Sequence, residues 1–199
     1  MSGRWVFGYG SLVSPASFGH TLGRPLTVGT DFHEAEVAGY GRRWNYGVRS
    51  AAGETTEPDG TVREWTIVVL GVVESAPETV NGVVAWVGDD EIEALDRRER
   101  NYDRVDVTDL AAILHGAPLS GPIETYVPRA EPLQRYRDAY AAGTAAIEER
   151  YWNLVDDAFA ELGEDRRDRY RATTPVPDIP VLAMRRDQVP ERYRVREAD

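Results

Sequence analysis

The amino-acid sequence predicts an α+β fold in which the strands of an antiparallel sheet or barrel come first and helices follow. Short apolar runs separated by turn residues are typical of such strands, and they occur at residues 5–9, 34–37, 43–49, 65–73 and 82–87. Apolar residues recur at helical spacing at residues 90–100 and again over residues 132–162. A chain of 199 residues fits one domain of ordinary size. We therefore expect a single domain over residues 1–199.

The first predicted strand runs directly into a turn that contains two glycines. Residues 5–13 read WVFGYGSLV, in which Gly8 and Gly10 bracket Tyr9 and are followed by Ser11. Glycine lets another group approach the main chain closely, and a serine hydroxyl donates or accepts a hydrogen bond. The composition of this turn therefore predicts that it binds a ligand.

Three later segments carry turn or breaker signals. Residues 50–61, SAAGETTEPDGT, are polar and rich in glycine and proline, which predicts a long hairpin loop that acts as a mobile flap. Gly143 is expected to divide the region 132–162 into two helices. The prolines of TTPVPDIPV, residues 173–181, exclude a regular helix. We expect an extended arm there, wrapped on the body of the protein.

The composition excludes several classes of function. The formal net charge of −11 disfavours binding to nucleic acid and to anionic membrane surfaces. The chain has no lysine, which excludes Schiff-base chemistry, and no cysteine, which excludes thiol catalysis, disulfides and thiolate metal sites. No run approaches the ~20 apolar residues of a membrane span, and no early apolar segment follows a basic region. We therefore expect a cytoplasmic protein with no nucleic-acid or membrane partner.

The sequence also fails to match three common catalytic motifs. A dinucleotide-binding fingerprint needs a third glycine at position 13, where Val13 stands. The three histidines lack the spacing of metal ligands. Ser11 lacks the flanking glycines of a nucleophile elbow, because Tyr9 and Val13 occupy their positions. We therefore expect no cofactor, no metal and no serine-hydrolase chemistry.

One acidic residue is predicted to point inward from the helix near residues 90–100. In the segment DDEIEALDRRERNYDRVDV, the spacing of Ile92, Leu95 and Glu99 is i, i+3 and i+7, which places Glu99 on the apolar face. The neighbouring charged residues, Arg98 included, are expected to project sideways or outward. An inward carboxylate is costly unless it is paired. Glu99 is therefore either the partner of an arginine in a structural salt bridge or a group whose pKa is raised for proton transfer.

Two motifs in this order resemble the gamma-glutamylcyclotransferase family, including its AIG2-like and ChaC-like branches. They are FGYGSL at residues 7–12 and LDRRERNYDRVDV at residues 95–107. The resemblance covers about residues 5–147 and continues through GYGRRWNYGVRS, NGVVAWV, ETYVP and YRDAYAAGTAAI. The sequence departs from the family at Arg100, because members often have glycine directly after the catalytic glutamate.

The resemblance implies a fold and a set of site residues. The fold is a small mixed, largely antiparallel β-barrel with flanking helices. Glu99 matches the glutamate that serves the family as general acid/base. The turn that holds the α-amino acid end of a γ-glutamyl group matches Tyr9, Gly10, Ser11 and Leu12. Tyr126 is predicted to bind substrate as well, whereas contacts of substrate with Tyr102, Arg43 and Trp44 are left open.

The implied reaction needs no cofactor. A γ-glutamyl amide contains its own nucleophile, because its α-amine is positioned to close a five-membered ring on the γ-carbonyl. A glutamate then moves the proton from this amine to the departing nitrogen. The products are 5-oxoproline and an amine or amino acid, and the leaving group is left open, cysteinylglycine from glutathione included. The alternative is a non-catalytic member of the fold that binds a small metabolite or a peptide end.

The chain continues past the region of resemblance as a helical and proline-rich C-terminal extension, residues 148–199. Two roles are consistent with its sequence: it covers one end of the barrel, or it lines the pocket for the leaving group. We favour the covering role.

Overall fold

The computed structural model of the protein describes residues 2–56, 60–115 and 119–184. In these residues the chain forms one mixed sheet with helices around it. The strands are β1 Gly3–Gly8, β2 Phe32–Thr56, β3 Val62–Gly88, β4 Tyr102–Asp106, β5 Ala111–Ile113, β6 Ile123–Pro128, β7 Ala145–Glu148 and β8 Val181–Leu182. The α-helices are α1 Pro15–Leu22, α2 Ile92–Arg98, α3 Ala130–Ala141, α4 Glu149–Leu162 and α5 Glu164–Thr173.

The sheet is built on a long antiparallel hairpin of β2 and β3. The two strands pair from Phe32 opposite Ala85 to Thr56 opposite Val62, with three shifts of register along the way. One of these shifts follows Ala38, where Gly39 adopts a φ of +82° that favours glycine. The shifts interrupt the alternation of apolar residues. The sequence therefore predicts several short strands where the structure has two long ones.

The other strands are added on both sides of this hairpin. The strand order is β4-β6-β1-β3-β2-β5, and β7 pairs with β3 and β8 with β7 outside this path. Strand β1 is antiparallel to β3 but parallel to β6. The pairs β3–β7 and β7–β8 are parallel as well. The α+β class with a mixed sheet is confirmed, and the description as a largely antiparallel barrel fits only roughly because parallel and antiparallel pairs are both frequent.

The predicted hairpin loop at residues 50–61 is shorter than the sequence indicated. Strand β2 continues to Thr56, and β3 begins at Val62. The pairing is supported there by the indole N–H of Trp65, which donates to the Thr55 hydroxyl at 2.9 Å. Strand pairing needs only backbone groups, so a polar sequence is compatible with it. Residues 57–59 lie outside the described residues, and the flap role stays a prediction.

The predicted helices are found, with changes at their ends. The first, α2, is shorter than residues 90–100 and ends at Arg98. Gly143, with a φ of +66°, divides the second region as expected, but the short strand β7 lies between the two helices. Of the expected arm, residues 181–182 form β8, which pairs with β7. The part of the arm beyond residue 184 lies outside the described residues.

The extension packs on the sheet through one face of α4. The buried side chains of this helix are spaced by a helical period and include Tyr151, Val155, Ala158 and Phe159. Its first turn is capped by Glu148, whose carboxylate accepts a hydrogen bond from the Tyr151 N–H at 2.8 Å. Helix α5 was not predicted from the sequence, because Tyr170 is its one buried residue and its other side chains are mostly charged.

A buried arginine joins the sheet to this extension. Arg42 of β2 is fully buried and donates to the Asn81 carbonyl and to the Thr174 hydroxyl, the latter at 3.2 Å. Its guanidinium carbon lies 4.9 Å from the centre of the Phe159 ring and 5.0 Å from that of Tyr170. Burial lowers the pKa of Arg42 to about 10, so the side chain remains charged at neutral pH.

We predict that Arg42→Ala destabilises the protein by about 2–5 kcal/mol. The substitution removes a large buried side chain and leaves buried acceptors without a donor. The free energy of unfolding by urea measures the effect. The matched control is Arg97→Ala, because the Arg97 side chain is 71% exposed and its ion pair with Glu93 is expected to contribute less than about 1 kcal/mol. Equal stability of the two variants would contradict the assigned role of Arg42.

Candidate active site

An open pocket of about 330 Å³, part of it continuous with solvent, lies beside the end of β1. The pocket is lined by Phe7, Gly8, Tyr9, Gly10, Ser11, Leu12, Leu70, Glu99, Tyr102, Tyr126 and Tyr151. All six residues that the sequence and the resemblance single out are therefore brought together in one place.

The glycine turn forms one wall of the pocket. After β1 ends at Gly8, residues 11–13 form a short 3-10 turn in which the Val13 N–H donates to the Gly10 carbonyl at 2.9 Å. The N–H groups of Ser11 and Leu12 come before the Val13 N–H in the sequence of this turn. The first N–H groups of a helical turn have no acceptor inside the turn and favour anionic ligands. The turn therefore has the local structure of a site for carboxylate or carbonyl oxygens.

Close packing explains both glycines of the turn. A Cβ atom on Gly8 would lie 2.6 Å from the Cβ of Leu12, which is too close for any side chain. A Cβ atom on Gly10 would lie 3.1 Å from the Tyr151 hydroxyl. Glycine at position 8 therefore lets the turn fold closely onto Leu12, and glycine at position 10 lets the Tyr151 side chain of α4 approach the turn.

Glu99 lines the same pocket from the end of α2. Leu95 of this helix is fully buried, as the spacing predicted, and the Glu99 side chain is only 13% exposed. Glu99 itself follows the last helical residue, with φ −97° and ψ 27°. Its Oε1 atom lies 3.0 Å from the Nε atom of Arg98. The two alternatives for this carboxylate, an ion pair and a position in a pocket, are thus both present in the geometry.

The expectation that Arg98 projects outward is wrong. Its side chain is 11% exposed, and its guanidinium donates to the Ser11 hydroxyl at 2.8 Å and to the Ser17 carbonyl at 3.2 Å. The reason is that α1 packs against this side of α2. Helix α1 was not predicted, although Ser14 at its N-cap, Pro15 at its first position and Gly23 after its end are sequence signals of a short helix.

Two tyrosines of the predicted site are held in their neutral form. The Tyr9 hydroxyl donates to the Tyr126 carbonyl at 2.7 Å, and burial together with the nearby charge of Glu99 raises the pKa of Tyr9 well above its usual value. The Tyr126 hydroxyl donates to Asp96 at 2.7 Å, and burial together with this hydrogen bond raises the pKa of Tyr126. Both side chains line the pocket with their hydroxyl protons committed to protein acceptors.

The sequence did not identify Leu70 and Tyr151 as pocket residues. Tyr151 belongs to the extension, so the extension lines the pocket in addition to covering the sheet, and the preference for a covering role alone is corrected. The Leu70 N–H donates to the Tyr151 hydroxyl at 3.4 Å. Tyr151 was visible in the sequence only as an apolar position of a helical pattern, which does not distinguish a core residue from a pocket residue.

The structure shows where Arg43, Trp44 and Tyr102 lie, the three residues whose contacts with substrate the sequence left open. Arg43 pairs with the Glu78 carboxylate, with the closest atoms 2.6 Å apart. Trp44 is buried and stacks on Trp152 with ring centres 5.2 Å apart. Tyr102 is the one of these three that lines the pocket. Arg43 forms this ion pair because the Glu78 carboxylate lies beside it, in the bulged part of β3.

The described part of the chain has neither a cluster of metal-ligating side chains nor a helix that could span a membrane. No group of three or more His, Cys, Asp or Glu side chains there is arranged to hold a metal ion. In that part, every helix is too short or too polar to cross a lipid bilayer.

Comparison with solved structures confirms the resemblance at the level of the fold. A gamma-glutamyl cyclotransferase is similar with a TM-score of 0.56 and 14% identity, over 88% of this chain and 90% of that chain. An uncharacterized protein from Homo sapiens has a TM-score of 0.54 and 13% identity, over 90% of this chain and 94% of that one. YkqA from Bacillus subtilis has a TM-score of 0.54 and 16% identity, over 91% of this chain and 56% of that one. No protein-family model and no curated protein matches the sequence.

We predict that Gly10→Ala and Tyr151→Phe are energetically coupled. The added methyl group meets the Tyr151 hydroxyl, so removal of this oxygen relieves the contact. Gly10→Ala should therefore destabilise the unmodified protein more than it destabilises the Tyr151→Phe variant, by about 0.5–1 kcal/mol. A double-mutant cycle on the free energies of unfolding measures the coupling. Additive effects would mean that the two residues do not touch.

Proposed function

We propose that the protein is a cyclotransferase that cleaves a γ-glutamyl amide by attack of the substrate's own α-amine on its γ-carbonyl. It releases 5-oxoproline and an amine or amino acid, and Glu99 acts as general acid/base. The observation that carries the proposal is that the Glu99 side chain and the glycine turn line the same pocket. The similarity of fold to a gamma-glutamyl cyclotransferase supports the same conclusion.

In the proposed complex the glycine turn holds the substrate and orients its reacting atoms. The N–H groups of Ser11 and Leu12 bind carboxylate or carbonyl oxygens of the glutamyl group. Holding the amine near the γ-carbonyl turns ring closure into a favoured intramolecular step. Main-chain donors of such a turn also stabilise negative charge on the oxygen of the tetrahedral intermediate. The substrate thus supplies the nucleophile itself, and the turn supplies its orientation and the stabilisation of charge.

Proton transfer is the part of the reaction that requires a side chain. The α-ammonium group loses two protons in total, and the departing nitrogen gains two when it leaves as an ammonium ion. Glu99 in its ionised form accepts the first proton, which makes the amine a nucleophile. The protonated carboxyl group then donates to the departing nitrogen as the C–N bond breaks, and the second proton follows through Glu99 or solvent. The enzyme ends each cycle in its starting form.

We predict that Glu99→Gln lowers the turnover of γ-glutamyl substrates by about 10²- to 10⁴-fold and leaves the fold intact. Glutamine keeps the size of the side chain but does not accept and return a proton. The measurement is 5-oxoproline formation from a panel of γ-glutamyl amino acids, γ-glutamyl amines and glutathione, beside a thermal melt. Glu93→Gln is the matched control, because the Glu93 side chain is 80% exposed on the helix that leads to Glu99.

The same pair of measurements tests the other roles of Glu99. The ion pair with Arg98 is present in either role, so loss of the Glu99 charge is expected to lower the melting temperature of Glu99→Gln in both cases. A residue that is only the partner of Arg98 leaves the turnover of the folded variant normal, whereas a general acid/base does not. Binding of γ-glutamyl compounds without turnover by the unmodified protein would favour the non-catalytic alternative.

We also predict that chelators leave the activity unchanged, because the proposed chemistry uses no metal. The test is the rate of 5-oxoproline formation after prolonged dialysis against EDTA, compared with dialysis against buffer alone. Loss of turnover that added divalent metal restores would overturn the metal-free mechanism.

A further inference from the structure

The Arg98 side chain contacts both Glu99 and the glycine turn. Its Nε atom lies 3.0 Å from the Glu99 carboxylate. Its Nη2 atom donates to the Ser11 hydroxyl at 2.8 Å and to the Ser17 hydroxyl at 3.3 Å. Its Nη1 atom donates to the Ser17 carbonyl at 3.2 Å and to the Thr21 hydroxyl. One guanidinium therefore contacts the glycine turn, helix α1 and the proposed general acid/base.

These contacts decide what kind of role Arg98 has. An arginine side chain carries five N–H donors in a fixed plane. Four hydrogen bonds to protein oxygens match the four N–H groups of Nη1 and Nη2, and Nε lies beside the Glu99 carboxylate, so a substrate carboxylate would have to displace a protein acceptor in order to bind there. The side chain is also only 11% exposed. Arg98 is thus built to hold protein groups in place rather than to bind the substrate.

Both groups that Arg98 holds need an external constraint. Glu99 is the C-cap of α2: its N–H donates to the Leu95 carbonyl at 2.8 Å, which holds its main chain but does not set the direction of its side chain. Ser11 follows Gly10 in the turn, at the start of a 3-10 segment of only three residues. A rigid guanidinium between the two fixes their separation, whereas a flexible side chain would not. Separation matters because a displacement of about 1 Å at a reacting centre costs on the order of 10²-fold in rate.

We propose that Arg98 is a positioning residue that sets the Glu99 carboxylate relative to the glycine turn. The inference rests on the proposed function, since it concerns the same reaction. The competing explanation is a clasp that only joins α1 to α2 through Ser17 and Thr21. The two explanations predict a different kcat for folded Arg98→Lys, because lysine keeps the charge of Arg98 but not its planar guanidinium.

The test compares Arg98→Lys and Arg98→Met with Arg97→Met as the matched control on the same helix. For Arg98→Met we expect kcat to fall by about 10- to 100-fold with a smaller change in KM. The acidic limb of the pH–rate profile should move to higher pH, because the carboxylate has lost its cationic partner. Arg98→Lys should lower kcat as well but leave the acidic limb near its original position. Arg97→Met should match the unmodified protein in all three readouts.

The outcomes separate failure of the inference from failure of the proposed function. No turnover of any γ-glutamyl substrate by the unmodified protein, or normal turnover by Glu99→Gln, overturns the proposed function and the inference with it. Loss of turnover in Glu99→Gln together with a normal kcat in folded Arg98→Lys overturns the inference alone. If Arg98→Met fails to fold, Arg98→Lys still decides, because a clasp predicts a lower melting temperature with unchanged kcat, whereas a positioning residue predicts a lower kcat.

Discussion

The structure depends on a hairpin that keeps its pairing while it bends. Strands β2 and β3 pair on both sides of the bulge at Gly39, and a bulge bends the strand that carries it. The bend gives the hairpin two halves with different neighbours: β1 pairs with the half that contains Val84, and β7 pairs with the half that contains Ile67. Two strands contribute side chains to the pocket: Phe7 lies on β1, and Leu70 lies on the half of β3 that contains Ile67. The site is therefore a consequence of how the hairpin bends.

The extension completes this arrangement. Helix α4 buries Val155 and Phe159 against the sheet and brings Tyr151 to the glycine turn. The buried charge of Arg42 holds the end of α5 to both strands of the hairpin through Thr174 and Asn81. An arginine suits this position because its flat guanidinium also packs on aromatic rings. Helix α4 therefore has both roles: it covers the core, and it presents a side chain to the pocket.

Local signals were sufficient for the parts of the site that lie close in sequence to their structural cause. The inward direction of Glu99 follows from the spacing of Leu95, and the turn that lines the pocket follows from its glycines. The position of Arg98 was not predictable, because it depends on α1 packing against α2, and sequence spacing on one helix does not report contacts between helices. The role of Tyr151 was hidden for the same reason. The bent hairpin was read as short strands, because bulges interrupt the alternation on which strand prediction relies.

The ion pair with Arg98 and the proposed proton transfer are compatible in one carboxylate. A carboxylate has two oxygens and about four positions at which it accepts hydrogen bonds, and the contact with Arg98 is made through Oε1. The contact with Arg98 is one of several that such a group can make, and it constrains the direction of the carboxylate. In a chain without lysine, arginine is the permanent cation among its side chains, and it combines charge with a fixed geometry. A salt bridge of this kind orients the carboxylate toward the turn, and orientation is what a proton-transferring group requires.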